Sequence, residues 1–151
     1  MSDFALVHSN EGAFTRSQVR IKGKTVIILR LTNGGHGQKG MDLLDKYGIE
    51  YNIVKTYSNG VRIGNVPNHK DRNKRFGTGQ TWFPKSWGER DIRHAGEHVA
   101  GLRKNRCVSD GTTIFGVYKG VRVGVKRTHG KIATVFPDVN QNFVTKRRNK
   151  K

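Results

Sequence analysis

Polar and apolar residues alternate and then give way to a β-branched run in RSQVRIKGKTVIILRL, residues 16–31, a pattern that predicts extended backbone. The loop TNGGHGQKG follows, with glycines that allow another group to approach the main chain closely. In GMDLLDKYGI, the spacing of Leu43, Leu44 and Tyr47 predicts one short helix that stops at Gly48. Two more alternating runs, YNIVKT and VRIGN, are joined by SNG, which predicts a hairpin. Periodicity then disappears in NHKDRNKRFGTGQ, residues 68–80, a basic and glycine-punctuated stretch that reads as exposed loop.

Aromatic residues concentrate in the next stretch, TWFPKSW, residues 81–87. Pro84 biases Phe83 towards extended backbone, and Ser86 or Gly88 can cap a helix running through ERDIRHAGEHVAGLRKN. Along that helix Ile92, Ala95 or Gly96, Val99 and Leu102 form an apolar stripe, with the glycine permitting tight packing. From residue 111 the chain changes to TTIFGVYKGVRVGVKRTHGKIATVFPD, three β-rich runs divided by KG and HG turns, an antiparallel meander. The order predicts an α+β fold, a helical and loop-rich N-terminal half packed on a C-terminal antiparallel sheet. A single domain over residues 1–151 is expected, with 1–15 and 142–151 flexible.

Charge narrows the function. Lys and Arg total 29 against 11 Asp and Glu, a formal charge of +18, and the chain ends in KRRNKK. An excess of this size attracts polyanions, so the expected partner is nucleic acid. Cys107 is the only cysteine, which excludes an internal disulfide and a cysteine-rich zinc site. No apolar run approaches the length needed to cross a bilayer, and MSDFALVHSN lacks the features of a secretory signal. Trp82, Phe83 and Trp87 have two possible uses, stacking on bases or anchoring the helix to the sheet. The proline and the adjacent cap fit a fixed turn and favour the second.

The run from NGVRIGNVPNHK through GTGQTWFPKSWGERDIRHAGEHVA to GVYKGVRVGV and GKIATVFPD resembles the bacterial EndoU-type nuclease domains at the C-termini of polymorphic toxins. TWFPKSW and TVFPD carry most of the likeness. The resemblance implies an endoribonuclease that makes 2′,3′-cyclic phosphate ends by acid–base transesterification, without a cofactor, although a divalent metal is compatible with it. RNA supplies its own nucleophile, the 2′-hydroxyl, so the protein needs a base, an acid and a cation near the phosphorane. A toxin of this kind implies a cognate acidic immunity protein and no membrane insertion by this domain. It would be delivered as part of a larger secreted protein and act in the cytoplasm of the target cell.

The resemblance places a catalytic histidine at His69 and a second at His36, in the GGH of the glycine loop. Arg62, in VRIGN, stands where the family more often has a histidine and is taken with Lys70 and Lys74 as a substrate-binding cation. Arg122 and Lys126 share one face of their strand and are candidates for holding the scissile phosphate. Thr134 matches a hydroxyl that the family uses near the base, and Phe136 stands where a tyrosine often stacks on it, with a core role equally open. Whether these two share a face with Arg122 and Lys126 depends on the length of the THG turn, because a slip of one residue inverts a strand.

Two other readings compete. His94 and His98 in HAGEH match the H-x-x-E-H zinc pattern, with no third ligand signposted. A non-catalytic RNA-binding module would explain the charge and the basic tail equally well. His8 and His129 read as a tail residue and a turn residue.

Overall fold

The computed structural model describes residues 1–142. Among the described residues eight strands and three α-helices form an α+β fold, in the order α1 (Asp3–Asn10), β1 (Ala13–Ile21), β2 (Lys24–Asn33), α2 (Gln38–Lys46), β3 (Asn52–Thr56), β4 (Arg62–Asn65), β5 (Gln80–Trp82), α3 (Glu89–Gly101), β6 (Ile114–Tyr118), β7 (Val121–Thr128) and β8 (Lys131–Pro137). All the strand pairs are antiparallel, in a two-stranded β1–β2 ribbon and two three-stranded sheets, β3–β4–β5 and β6–β7–β8.

The C-terminal meander forms where the sequence predicts it. Two-residue turns, Lys119–Gly120 and His129–Gly130, close its hairpins, and all four residues have positive φ, the geometry that matches strand twist. Lys22–Gly23 is built the same way, so 16–31 is two strands of one hairpin rather than a single extended run. The SNG hairpin pairs β3 with β4. The N-terminal half therefore holds five strands as well as its helices and loops.

Val121, Val123 and Val125 of β7 and Val135 of β8 point to one side and meet Ile92, Ala95 and Val99 of α3 in the main core. The stripe on α3 is the one its spacing predicts. A Cβ at Gly96 would lie 2.6 Å from a methyl of Val135, so the glycine sets how closely helix and sheet approach. On α2 the buried face is Gly40, Met41 and Leu44; Tyr47 is exposed.

A second core gathers Leu31, Met41, Leu44, Ile49, Val66 and Trp82. Trp82 and Phe83 are both fully buried, yet Trp82 belongs to this core while Phe83, stacked on Trp87 at 5.0 Å, belongs to the first. Neighbouring side chains of an extended segment point to opposite sides, so the aromatic block joins the two cores. The anchoring role is the one the structure displays.

The first fifteen residues, expected to be flexible, hold α1 and the start of β1. Ser2 caps α1 by accepting from the Ala5 amide at 3.1 Å, and Ala5, Leu6, Ser9 and Asn10 are buried. Ser9 Oγ also accepts the amide of Val135 at 2.9 Å, docking α1 beside β8. Of the tail expected to be flexible, residues 143–151 lie outside the described part.

Candidate active site

The end of α1 runs against the glycine loop. Three successive amides, of Gly35, His36 and Gly37, donate to the carbonyls of His8, Ser9 and Asn10 at 3.0, 2.6 and 3.1 Å. A Cβ at Gly34 would collide with the His8 carbonyl, and one at Gly37 with the Asn10 side chain. The glycines admit a helix end rather than phosphate oxygens, and the amides are occupied. His8, which reads as a tail residue in the sequence, is thereby carried to His36.

His36 is buried and firmly oriented. Its Nδ1 lies 2.7 Å from the Thr81 carbonyl, which can only accept, so Nδ1 carries the proton and Nε2 is left with its lone pair. The His36 carbonyl accepts the Phe83 amide at 2.7 Å, and its ring lies 5.9 Å from that of Phe136. Burial, reinforced by the charge of Lys74, holds the imidazole well below its usual pKa, and the Thr81 bond opposes this only in part. His36 is neutral at pH 7.

His8 and His36 line a cavity of about 460 Å³ together with Lys74, Lys126, Thr134 and Phe136. His8 is also held below its usual value, by burial first and then by Lys74. Burial and the neighbouring charge of Lys126 lower Lys74. Two cations thus converge on the site; Asp71 and Asp138 also stand in its walls, but among the described residues neither lysine is ion-paired to a carboxylate, so both are available to an anion.

The register of β7 and β8 answers the question left open by the sequence. The turn has two residues, but a bulge between Lys126 and Arg127 adds one residue to β8. Beyond the bulge Lys126 faces Thr134 and Gly124 faces Phe136. Thr134 and Phe136 therefore lie on the face of Arg122 and Lys126, away from the valine core. A Cβ at Gly124 would lie 2.5 Å from the Phe136 ring, so glycine makes room for that aromatic.

Other sequence candidates are placed elsewhere. His69 is fully buried and does not itself line the cavity: its Nδ1 accepts the Asp71 amide at 2.8 Å, and its carbonyl accepts from Arg30 and Arg75 at 3.2 and 2.8 Å. It holds the 68–75 loop together, and burial, followed by Lys74, lowers its pKa to about 4. Arg62 is an interior cation, donating to Gln38 at 2.6 Å and to the Phe83 carbonyl at 2.5 Å, with burial lowering its pKa. Its side chain spans the ground between α2 and the aromatic block. Arg122 donates to Asp138 at 3.0 Å and lies over the Phe115 ring. Lys70 is exposed and uses its amide to bond the Leu31 carbonyl at 2.8 Å. His94 and His98 are exposed on α3, and His98 packs against Tyr118. Among the described residues no three His, Cys, Asp or Glu side chains converge, and no helix is long and apolar enough to cross a membrane.

Nothing local in the sequence marks His8; its place beside His36 comes from backbone bonds to a loop 28 positions further on, and the close-packed glycines of that loop are the available signal. The profile of the bacterial EndoU nuclease family matches residues 8–139, beginning at this histidine and spanning both halves of the fold. The chain belongs to that family, and its membership implies nuclease activity. No curated protein and no solved structure matches it.

Proposed function

We propose that the protein is an endoribonuclease that cuts RNA by transesterification, with His36 and His8 as its base and acid. The observation that carries this reading is the convergence of two histidines, two lysines, Thr134 and Phe136 on one cavity. His36 Nε2 takes the proton of the 2′-hydroxyl, whose oxygen attacks the adjacent phosphorus. The bond from phosphorus to the 5′-oxygen breaks, and His8 gives its proton to that oxygen. The products are a 2′,3′-cyclic phosphate and a free 5′-hydroxyl.

Lys74 and Lys126 offset the charge that builds on the phosphorane, a role that needs no metal ion. The Thr134 hydroxyl bonds the base beside the scissile phosphate, and Phe136 packs on its face. This domain is a toxin delivered on a larger secreted protein into the cytoplasm of another cell. Its charge of +18 calls for an acidic immunity protein that covers the cleft in the producing cell.

The test is incubation with total RNA and, separately, with DNA in EDTA, beside His8→Ala and His36→Ala. Cyclic-phosphate ends on RNA, lost in both variants, are the expected outcome. Binding of RNA without cleavage would make the protein a binding module, and activity abolished by EDTA would return attention to His94 and His98.

A further inference from the structure

A larger cavity, of about 630 Å³, opens among His98 of α3, Lys104 just beyond that helix, Val117 of β6, Arg122 of β7, and Asp138 and Asn140 after β8. Asp138 stands in the walls of both cavities. The ground between them is aromatic. The Phe136 ring, 5.9 Å from His36, meets the Phe115 ring edge-on at 6.5 Å, and the Arg122 guanidinium carbon lies 4.3 Å from the centre of Phe115. Gly124 lies beneath both rings, where a Cβ would come within 2.5 Å of one and 3.0 Å of the other.

Of the two rings, Phe136 stands in the wall of the smaller cavity, while the face of Phe115 is taken by Arg122. Aromatic faces accept bases of any identity, and a cation beyond them accepts the next phosphate. Arg122 is oriented on two sides, by the bond to Asp138 and by Phe115, so its position in the wall is fixed. The Asp138 carboxylate is engaged with Arg122, and Lys104 and the imidazole of His98 complete the basic side. Histidine and lysine here have no part in the chemistry at His36. The residue that gives HAGEH its zinc-like spacing thus acquires a different use.

We propose that this larger cavity is a second nucleotide subsite, in which Lys104 and Arg122 hold a neighbouring phosphodiester of the RNA strand whose scissile bond lies over His36. The inference rests on the reading of the protein as a ribonuclease. It makes the enzyme one that recognises a strand several nucleotides long, with part of its affinity gathered away from the cut.

The experiment compares kcat/KM for a ribodinucleotide with that for pentanucleotides extended on either side of the same step, 2′-deoxy elsewhere so that one bond can be cut. The wild-type chain is expected to favour one extended substrate at least about fivefold. In Lys104→Glu that ratio falls towards one, while a charge-matched change at the ribbon tip, Lys24→Glu, keeps it. Equal use of short and long substrates by the wild type, or a ratio that survives Lys104→Glu, overturns the proposal. Such a result would leave the cavity to an acidic protein.

If nothing is cleaved, the ribonuclease reading fails, and anisotropy with the uncleavable 2′-deoxy pentanucleotide still decides the subsite. Weaker binding by Lys104→Glu than by Lys24→Glu supports it. Equal binding overturns it.

Discussion

The amide of His36 donates to the carbonyl of Ser9 at 2.6 Å, and through this bond the residues that follow two distant stretches of chain are held side by side. Its neighbours on either side repeat the contact, so the relative position of His8 and His36 is set by main chain. Gly34 is the tightest point, with φ of +69° and the His8 carbonyl where a Cβ would go. Gly34→Ala is expected to cost about 1–3 kcal/mol from strain and collision and to lower kcat roughly 100-fold by displacing the pair. Gly23→Ala, with a similar φ but open space around it, is the comparison; calorimetry and cleavage rates on both check the point.

The proposed roles of the two histidines separate with a substrate whose leaving 5′-oxygen is replaced by sulfur. A thiolate departs without a proton, so His8→Ala is expected to regain most of its rate on that substrate, whereas His36→Ala is not. With ordinary RNA, both histidines titrate below the usual imidazole value, and activity requires His36 neutral with His8 charged. kcat/KM is therefore expected to decline as pH rises through the lowered His8 value, so the decline sets in below the usual imidazole range, and it should vanish with the sulfur substrate. A rescue of His36→Ala instead would exchange the assignments.

Stability has its own pH dependence through His69. Its pKa is lowered to about 4 in the fold, so below about pH 6.5 the unfolded chain takes up a proton that the folded chain refuses. Stability is full above 6.5 and falls as pH drops towards 4, by about 3 kcal/mol from this residue. His36 adds to the loss in the same direction. His69→Asn keeps an acceptor for the Asp71 amide and does not titrate, so urea denaturation between pH 7.5 and 4.5 should show a flatter slope in this variant.

Arg62 distinguishes an interior cation from a substrate contact. Arg62→Met leaves the Phe83 carbonyl without its donor and is expected to cost about 1–3 kcal/mol. KM for RNA should stay within about twofold, since the guanidinium is absent from the cavity lining. A large rise in KM with unchanged stability would restore the substrate role that the sequence suggests.

Strong local signals were legible in the sequence. The stripe on α3, the hairpin at Asn59–Gly60 and the two turns of the meander each rest on spacing or turn chemistry within a dozen residues. The Lys22–Gly23 turn has the same chemistry, but a continuous run of β-formers on both sides hid it. His36, Lys74, Lys126, Thr134 and Phe136 meet in one cavity, and each was named from the sequence. His8 was not, because a helix of eight residues beside a loop leaves no periodic trace. His69 reads as exposed because its surroundings in the sequence are polar; in the fold Arg75 of the same loop and Arg30 of β2 bond its carbonyl, and the residue is fully buried. The bulge before Arg127 is the least legible feature, since a single extra residue decides which side of the sheet Thr134 and Phe136 occupy.

Trp82 and Phe83, set in opposite cores, have a mechanical consequence. Neither core can melt without withdrawing one of two fully buried aromatic side chains, and moving one shifts the backbone that holds the other. Heat should therefore dissolve the protein in one step, with both halves lost together. His36 is tied to this same dipeptide through the Phe83 amide, which makes the candidate site part of the weld between the halves rather than a mouth that opens and shuts.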